Sequence, residues 1–364
     1  LLSNVYLPTP KNIDYFWCFG SLLLVWFVVQ FVSGFFLSSF YLPSVYFSFD
    51  SVDCFYREVL FGSFFRSVHS IGASFFFLFI YFHLFRGLYF SSYSYVSTWL
   101  VGCLILVLSM AIAFLGYVLP WGNMSLWGAT VITSLLSAIP YFGSSLVEWL
   151  WGGFSISSPT LSRFFVLHFF LPFILAIFVF SHILFLHVSG SGNPLGINSK
   201  GRSLMFTPYF LINDLLGFVV CFIVFLYLVV YVPFFQFDSS NFDEANFLST
   251  PLHIKPEWYF LAAYAVLRCV PNKLGGVYFL FMFLFIYFLI PFLVSSVYIV
   301  PLDFFGSVFY FMFICNFVLL TLLGGLPVES PFVSVSVFSS FLYFIYFVLL
   351  LDISWLDYVS MIRL

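Results

Sequence analysis

Eight long, almost uninterrupted apolar runs govern what this chain can become. A helix crossing about 30 Å of hydrocarbon needs roughly 20 mainly apolar residues. The runs that meet this length are Phe16–Tyr41, Phe61–Phe90, Trp99–Val118, Phe164–Val188, Asp214–Phe234, Val277–Ile299, Phe304–Gly324 and Phe332–Leu351, designated A to H. A membrane β-barrel would show strands of about ten residues with alternating polarity, whereas these runs are apolar on every side. The expected fold is an all-α polytopic membrane protein with eight transmembrane helices. Only 7% of the 364 residues are charged and 63% are hydrophobic, against about 25% charged in a soluble domain. This excludes a cytosolic enzyme and a disordered chain, and eleven Lys and Arg are too few for a nucleic-acid footprint.

Six Cys form no CxxC and no CxxCH, so a disulfide framework, a zinc ribbon and covalent c-type haem attachment are not expected. Fifty-nine Phe against four Lys points to a T-rich coding strand, as in some organelle genomes. No signal peptide is visible, and the chain opens on Leu1, so a few leading residues are expected to be missing.

Two connections, 119–163 and 235–276, are too long to be turns and hold Pro, Gly, Trp and most of the loop acids. Irregular backbone at membrane depth is tolerated only where it is buried or lines a cavity, which makes both loops candidates for a site. By parity, the A–B, C–D, E–F and G–H loops share one side, and both termini share the other. Six Lys and Arg on the first side against five on the second leave the positive-inside rule undecided.

Four of the six His lie inside spans: His69 and His83 on B, His168 and His182 on D, each pair fourteen positions apart. Fourteen helical residues advance about 21 Å and turn about 3.9 times, so both His of a pair face nearly the same way. B and D run parallel, which sets His69 level with His168 and His83 level with His182. Two imidazoles facing across a bundle core can hold one haem iron by both axial positions, giving two stacked sites in a bundle of A to D. A lone intramembrane His is as readily a packed residue, but two pairs at one spacing are hard to assign to packing. Gly20 and Gly34 on A, and Gly102 and Gly116 on C, repeat the spacing. Their levels match those of the His, as a flat macrocycle against backbone requires; ordinary helix packing explains any one of them alone. Arg66 lies one turn before His69 and Arg86 one turn after His83. Both are placed to pair haem propionates, and snorkelling to the interface accounts equally well for each by itself.

The strings RSVHSIGASFFFLFIYFHLFRGLYF, GYVLPWGNMSLWGATVITSLLSAIPYFG, LSRFFVLHFFLPFILAIFVFSHILFLH and HIKPEWYFLAAYAVLRCVPNKLGG closely resemble cytochrome b of the mitochondrial and bacterial cytochrome bc1 complex. The resemblance covers about residues 10 to 330. Unlike the cytochrome b6 type, which ends after helix D and spaces its second His pair one residue wider, the chain continues through a PEWY motif. The resemblance implies residues 1–212 as a di-haem domain and 213–364 as a C-terminal domain. It implies a subunit of a ubiquinol:cytochrome c oxidoreductase working by a Q cycle, with two non-covalent haem b. The low-potential haem would sit at His69/His168 and the high-potential one at His83/His182. Implied partners are a Rieske iron–sulfur protein, cytochrome c1, other complex III subunits, lipid, ubiquinone and a second copy of the complex. The implied location is the mitochondrial inner membrane, termini in the matrix.

The resemblance also assigns the quinone sites. Glu257, after Pro256 at a helix start, becomes the proton acceptor of quinol oxidation; by sequence alone it is equally a carboxylate that complements a helix dipole. Tyr264, Phe260 and Gly128 match pocket positions, with plain packing as the alternative. On the other side His187, Asp214, Ser21 and Ser191 match quinone-reduction positions, where a His opposite a carboxylate can deliver protons. An interfacial His and a capping Asp are the plainer reading of that pair. His253 reads as a loop residue near the Rieske surface. The chain departs from the family pattern in several places: Asn213 stands where Lys is usual, Val188 for Glu, Asn123 for Gln, and Ser157-Ser158-Pro159 lacks a charged pair. Two other classes compete: a transporter relaying protons through its His, which lacks inverted repeats or broken helices, and a di-haem quinone dehydrogenase anchor, which PEWY and eight spans argue against.

Overall fold

The computed structural model describes residues 7–197, 199, 201–294 and 300–362, with side chains to Asp352 and at Ser354. Among the described residues twelve α-helices carry the chain: α1 Phe19–Ser38, α2 Ser48–Glu58, α3 Gly62–Tyr89, α4 Val96–Val118, α5 Asn123–Ser134, α6 Gly143–Trp151, α7 Ser158–Ser189, α8 Phe206–Tyr231, α9 Leu261–Arg268, α10 Lys273–Leu293, α11 Phe304–Gly324 and α12 Phe332–Ile362. Eight of them, α1, α3, α4, α7, α8, α10, α11 and α12, are long and apolar enough to span a membrane. These are the eight runs read from the sequence. The protein is a multi-pass helical membrane protein.

Helix ends differ from the hydrophobic runs where local chemistry acts. The fourth span begins at Ser158 because Ser157 is extended and its N–H donates to Thr160 Oγ1 at 3.1 Å, with Pro159 in the first turn. The fifth begins at Phe206, where strand β2 (Ser203–Met205) pairs antiparallel with β1 (Pro8–Pro10) and delivers the chain into α8. Asp214 therefore does not open that helix: it sits two turns inside it, 7% exposed. The break between 212 and 213 falls within α8. The last five residues of run F, 295–299, lie outside the described residues.

α1 packs along α3 and α4 along α7, and the four together enclose both histidine levels. α8 leans on α3, while α9 to α12 form a second group joined to the first through α10 and α4. Pro291 lies inside α10, so the carbonyl four residues earlier lacks its helical donor. Trp99 of α4 fills the gap: its Nε1 donates to Tyr287 O at 2.7 Å, a buried bond between the two helix groups.

The two long connections carry short helices of their own, α5 and α6 in the first and α9 in the second, and they are stitched together. Asn123 N donates to Asp243 O (2.9 Å), its Nδ2 to Ser249 O (2.9 Å), and its Oδ1 accepts from Asn246 N (3.2 Å). Asn241 Oδ1 accepts from Ser125 N at 2.9 Å and from Ser125 Oγ at 3.2 Å. Asn123 thus joins the C–D and E–F loops and is buried in doing so.

Candidate functional site

The rings of His69 and His168 face each other with centres 6.2 Å apart and planes at 85°; those of His83 and His182 are 6.1 Å apart at 62°. A first-row metal lies about 2.0–2.1 Å from an imidazole nitrogen and the ring centre roughly 1.1 Å beyond, so two rings sharing one ion have centres about 6.2–6.4 Å apart. The first pair, at 6.2 Å, falls in that range, and the second, at 6.1 Å, lies just short of it. A hydrogen bond at Nδ1 leaves Nε2 as the ring nitrogen available to a metal. His168 Nδ1 lies 2.8 Å from Ile112 O and His69 Nδ1 2.9 Å from Ser33 Oγ. His182 Nδ1 is buried beside Thr98 without a well-formed hydrogen bond.

Each of the four glycines meets one ring. A Cβ at Gly20 would lie 3.4 Å from His83 Cε1, at Gly34 3.0 Å from His69 Cε1, and at Gly102 3.2 Å from His182 Cε1. At Gly116 it would collide with the His168 ring. The sequence register is thereby reproduced, glycine by histidine. The residues fit a bis-imidazole haem at each level, with one rearrangement. Arg86 Nη2 approaches His83 Nδ1 at 3.1 Å, a contact in which the ring nitrogen accepts. A neutral ring bound through Nε2 carries its proton on Nδ1 and cannot accept there. A metal held by His83 through Nε2 would require Arg86 to release this contact; its guanidinium now lies 5.3 Å over the Trp17 ring. Arg66 rests between the rings of Tyr56 (5.6 Å) and Phe237 (5.4 Å).

A cavity of about 290 Å³ surrounds the first pair, lined by Gly34, Gly116, His69, His168, Arg66 and Glu257 among others. A second, of about 20 Å³, gathers Gly128, Pro256, Glu257, Phe260 and Tyr264, the full set read for quinol oxidation. Glu257 and Tyr117 line both cavities. Burial pushes the Glu257 carboxyl up to about 7, the Asp238 carboxylate adds to the rise, and Lys255 opposes it. Glu257 precedes the single turn Trp258–Phe260, whose Tyr259 stacks on Phe77 at 4.1 Å and 5°. Tyr264 OH donates weakly to Ile254 O at 3.4 Å, and Arg268 lies 5.2 Å over the Tyr264 ring. Tyr117 was not singled out by sequence reasoning; its one signal was adjacency to Gly116.

On the opposite level Asp214 has the Cys18 thiol and the Ser21 hydroxyl within hydrogen-bonding reach. Ser21 Oγ also donates to Cys18 O at 2.8 Å. Ser21 and Asp214 are thus brought together, and Cys18, which sequence reasoning missed, completes the group. Among the described residues neither His187 nor Ser191 hydrogen-bonds to Asp214. The Ser191 segment is tied down instead through Gly192, whose carbonyl accepts from Trp17 Nε1 at 3.0 Å. His253 is exposed on the E–F loop.

The fold and the paired imidazoles define a class: polytopic helical membrane proteins with two metal-spaced histidine pairs in one bundle. Residues 4–190 match the family model described as cytochrome b/b6/petB, and residues 244–344 match that of cytochrome b(C-terminal)/b6/petD. A cytochrome b of Apis mellifera ligustica is 47% identical over 349 residues, covering 96% of this chain and 91% of that one. A chain of a solved hyperthermophilic respiratory Complex III superposes with a TM-score of 0.91 at 33% identity, over 96% of this chain and 94% of that chain. The chain belongs to the cytochrome b family, whose members carry haem b.

Proposed function

We infer that the chain works as the cytochrome b subunit, and so the catalytic core, of a ubiquinol:cytochrome c oxidoreductase, assembled with the other subunits of a respiratory complex III. The observation that carries the reading is the pair of ring separations, 6.2 and 6.1 Å, each with its two glycines in register. His69 and His168 hold the low-potential haem b, and His83 and His182 the high-potential one. When bound, the haems supply one-electron transfer between the two faces of the membrane. Arg66 and Arg86 offer guanidinium groups at the water-facing end of each level for the propionates.

The chain's own residues manage the protons. At the long-loop side Glu257, with its carboxyl near neutrality, accepts the proton of a quinol hydroxyl in the apolar pocket of Gly128, Pro256, Phe260 and Tyr264. Glu257 also lines the cavity of the first histidine pair. Tyr117 shares that wall. At the terminus side Asp214, beside Cys18 and Ser21, and His187 deliver protons to the quinone, with Ser21 and Ser191 as donors to its carbonyl. The E–F loop around His253 is the surface for a Rieske protein, and cytochrome c1 is a neighbour in the assembly. The site is the mitochondrial inner membrane, termini in the matrix, with the complex a homodimer. Residues 1–212 form the di-haem unit and 213–364 the remainder.

The test is a reduced-minus-oxidised spectrum of the purified complex. Two b-type signals are expected, and His83→Ala should remove one and spare the other. An unchanged spectrum in that variant overturns the assignment.

A further inference from the structure

A short hydrogen-bond chain crosses α3 at Ser74. Trp258 Nε1 donates to Ser74 Oγ at 3.0 Å, and Ser74 Oγ donates to Gln236 Oε1 at 2.5 Å. Gln236 follows α8 and Trp258 precedes α9, so the two bracket nearly the whole irregular E–F connection. Ser74 is buried, 9% exposed, and its hydroxyl is committed as donor and acceptor at once. Ser74, Phe77 and Tyr81 fall at i, i+3 and i+7, one stripe of α3. All three hold the loop's end: Phe77 through the Tyr259 ring, Tyr81 through its hydroxyl on Tyr259 O at 2.5 Å. His69 and His83 lie roughly 140° and 180° around the helix from Ser74. One rigid helix therefore carries the imidazoles and also grips the segment that follows Glu257.

A loop with no ladder of its own takes its position from a few such anchors. Removing the Ser74 hydroxyl breaks two bonds together and leaves a half-buried indole N–H and a half-buried amide oxygen without their partner. Gln236, Ser74 and Glu257 all line the cavity of the first histidine pair. We propose that Gln236, Ser74 and Trp258 form a strap that fixes the approach of Glu257 between the two cavities, making Ser74 and Gln236 positioning residues for quinol oxidation. The proposal rests on the reading of Glu257 as the proton acceptor. The charged and titratable groups facing that carboxyl are Asp238 and Lys255 of the same loop, Tyr117 of α4, and Tyr259.

The test uses the intact complex carrying Ser74→Ala, Ser74→Thr, Gln236→Leu, and Ser74→Ala with Gln236→Leu. Quinol-oxidation kcat and KM are measured across pH, with both b-type bands recorded as the check on assembly. Ser74→Ala should lower kcat roughly tenfold, the scale of a sub-ångström misplacement, and displace the acid limb of the pH profile while both bands persist. Ser74→Thr, which keeps the hydroxyl, should restore both. Because the residues act as one chain, the double variant should be no worse than Ser74→Ala alone. Unchanged kcat and acid limb in Ser74→Ala, losses that multiply in the double variant, or a kcat loss with the limb unmoved each overturn the strap. Glu257→Gln separates the two readings. If it leaves the acid limb in place the proton-acceptor role fails, and if it removes the limb while Ser74→Ala does nothing, the strap alone fails.

Discussion

Adding one methyl at each register glycine gives a graded test of the two histidine levels. Non-bonded carbons rest about 3.5–4.0 Å apart. Against that distance, a Cβ at Gly20 (3.4 Å) barely intrudes, at Gly102 (3.2 Å) and Gly34 (3.0 Å) it intrudes by a few tenths of an ångström, and at Gly116 it overlaps the His168 ring outright. A metal–ligand bond tolerates a displacement of about 0.2 Å, and overpacking a tight interior costs about 1–3 kcal/mol. The loss of signal should therefore follow the order Gly116→Ala, then Gly34→Ala, Gly102→Ala and last Gly20→Ala. Position selects which signal is lost. Gly116 and Gly34 meet His168 and His69, so those variants should weaken one b-type band and leave the other; Gly102 and Gly20 meet His182 and His83 and should do the reverse. The assay is a reduced-minus-oxidised spectrum with a potentiometric titration of each band. Wild-type amplitude and potential at both bands in Gly116→Ala refute the reasoning, as does a Gly20→Ala variant worse than Gly116→Ala.

Two further outcomes follow from the loop and from the helix junction. With the Glu257 carboxyl near 7, the proton-accepting carboxylate is populated only as pH rises through that value. Quinol oxidation should thus fall off below neutrality, and Glu257→Gln should abolish this limb and cut turnover by about a hundredfold or more. The sign for stability is opposite. The folded state holds this proton above the ordinary 4.5, so its contribution to stability declines as pH rises from there to 7, which a melting series across pH in wild type and Glu257→Gln would read. At the junction, Trp99→Phe removes the donor that serves Tyr287 O beside Pro291. An unsatisfied buried carbonyl costs about 1–3 kcal/mol, so the variant should melt lower while keeping both b-type bands; an unchanged melting temperature removes the argument.

The eight spans, the parallel course of α3 and α7, and the register of His69, His83, His168 and His182 with Gly20, Gly34, Gly102 and Gly116 are legible in the amino-acid sequence alone. Hydrocarbon thickness fixes helix length, and the helical rise and period are local constants, so residues fourteen apart share a face wherever the helix lies. Tertiary structure decided what local rules leave open. Asp214 lies inside α8 because a β1–β2 pairing far away in sequence sets where that helix starts. Asn123, unremarkable by itself, joins two loops through partners more than a hundred residues away. Burial between two cavities, with Asp238 adding to it, pushes the Glu257 carboxyl up to about 7. Gln236 reaches Ser74 across the bundle. Loops have no periodic backbone to transmit position along the chain; their geometry is set by whichever distant side chains satisfy their buried polar groups.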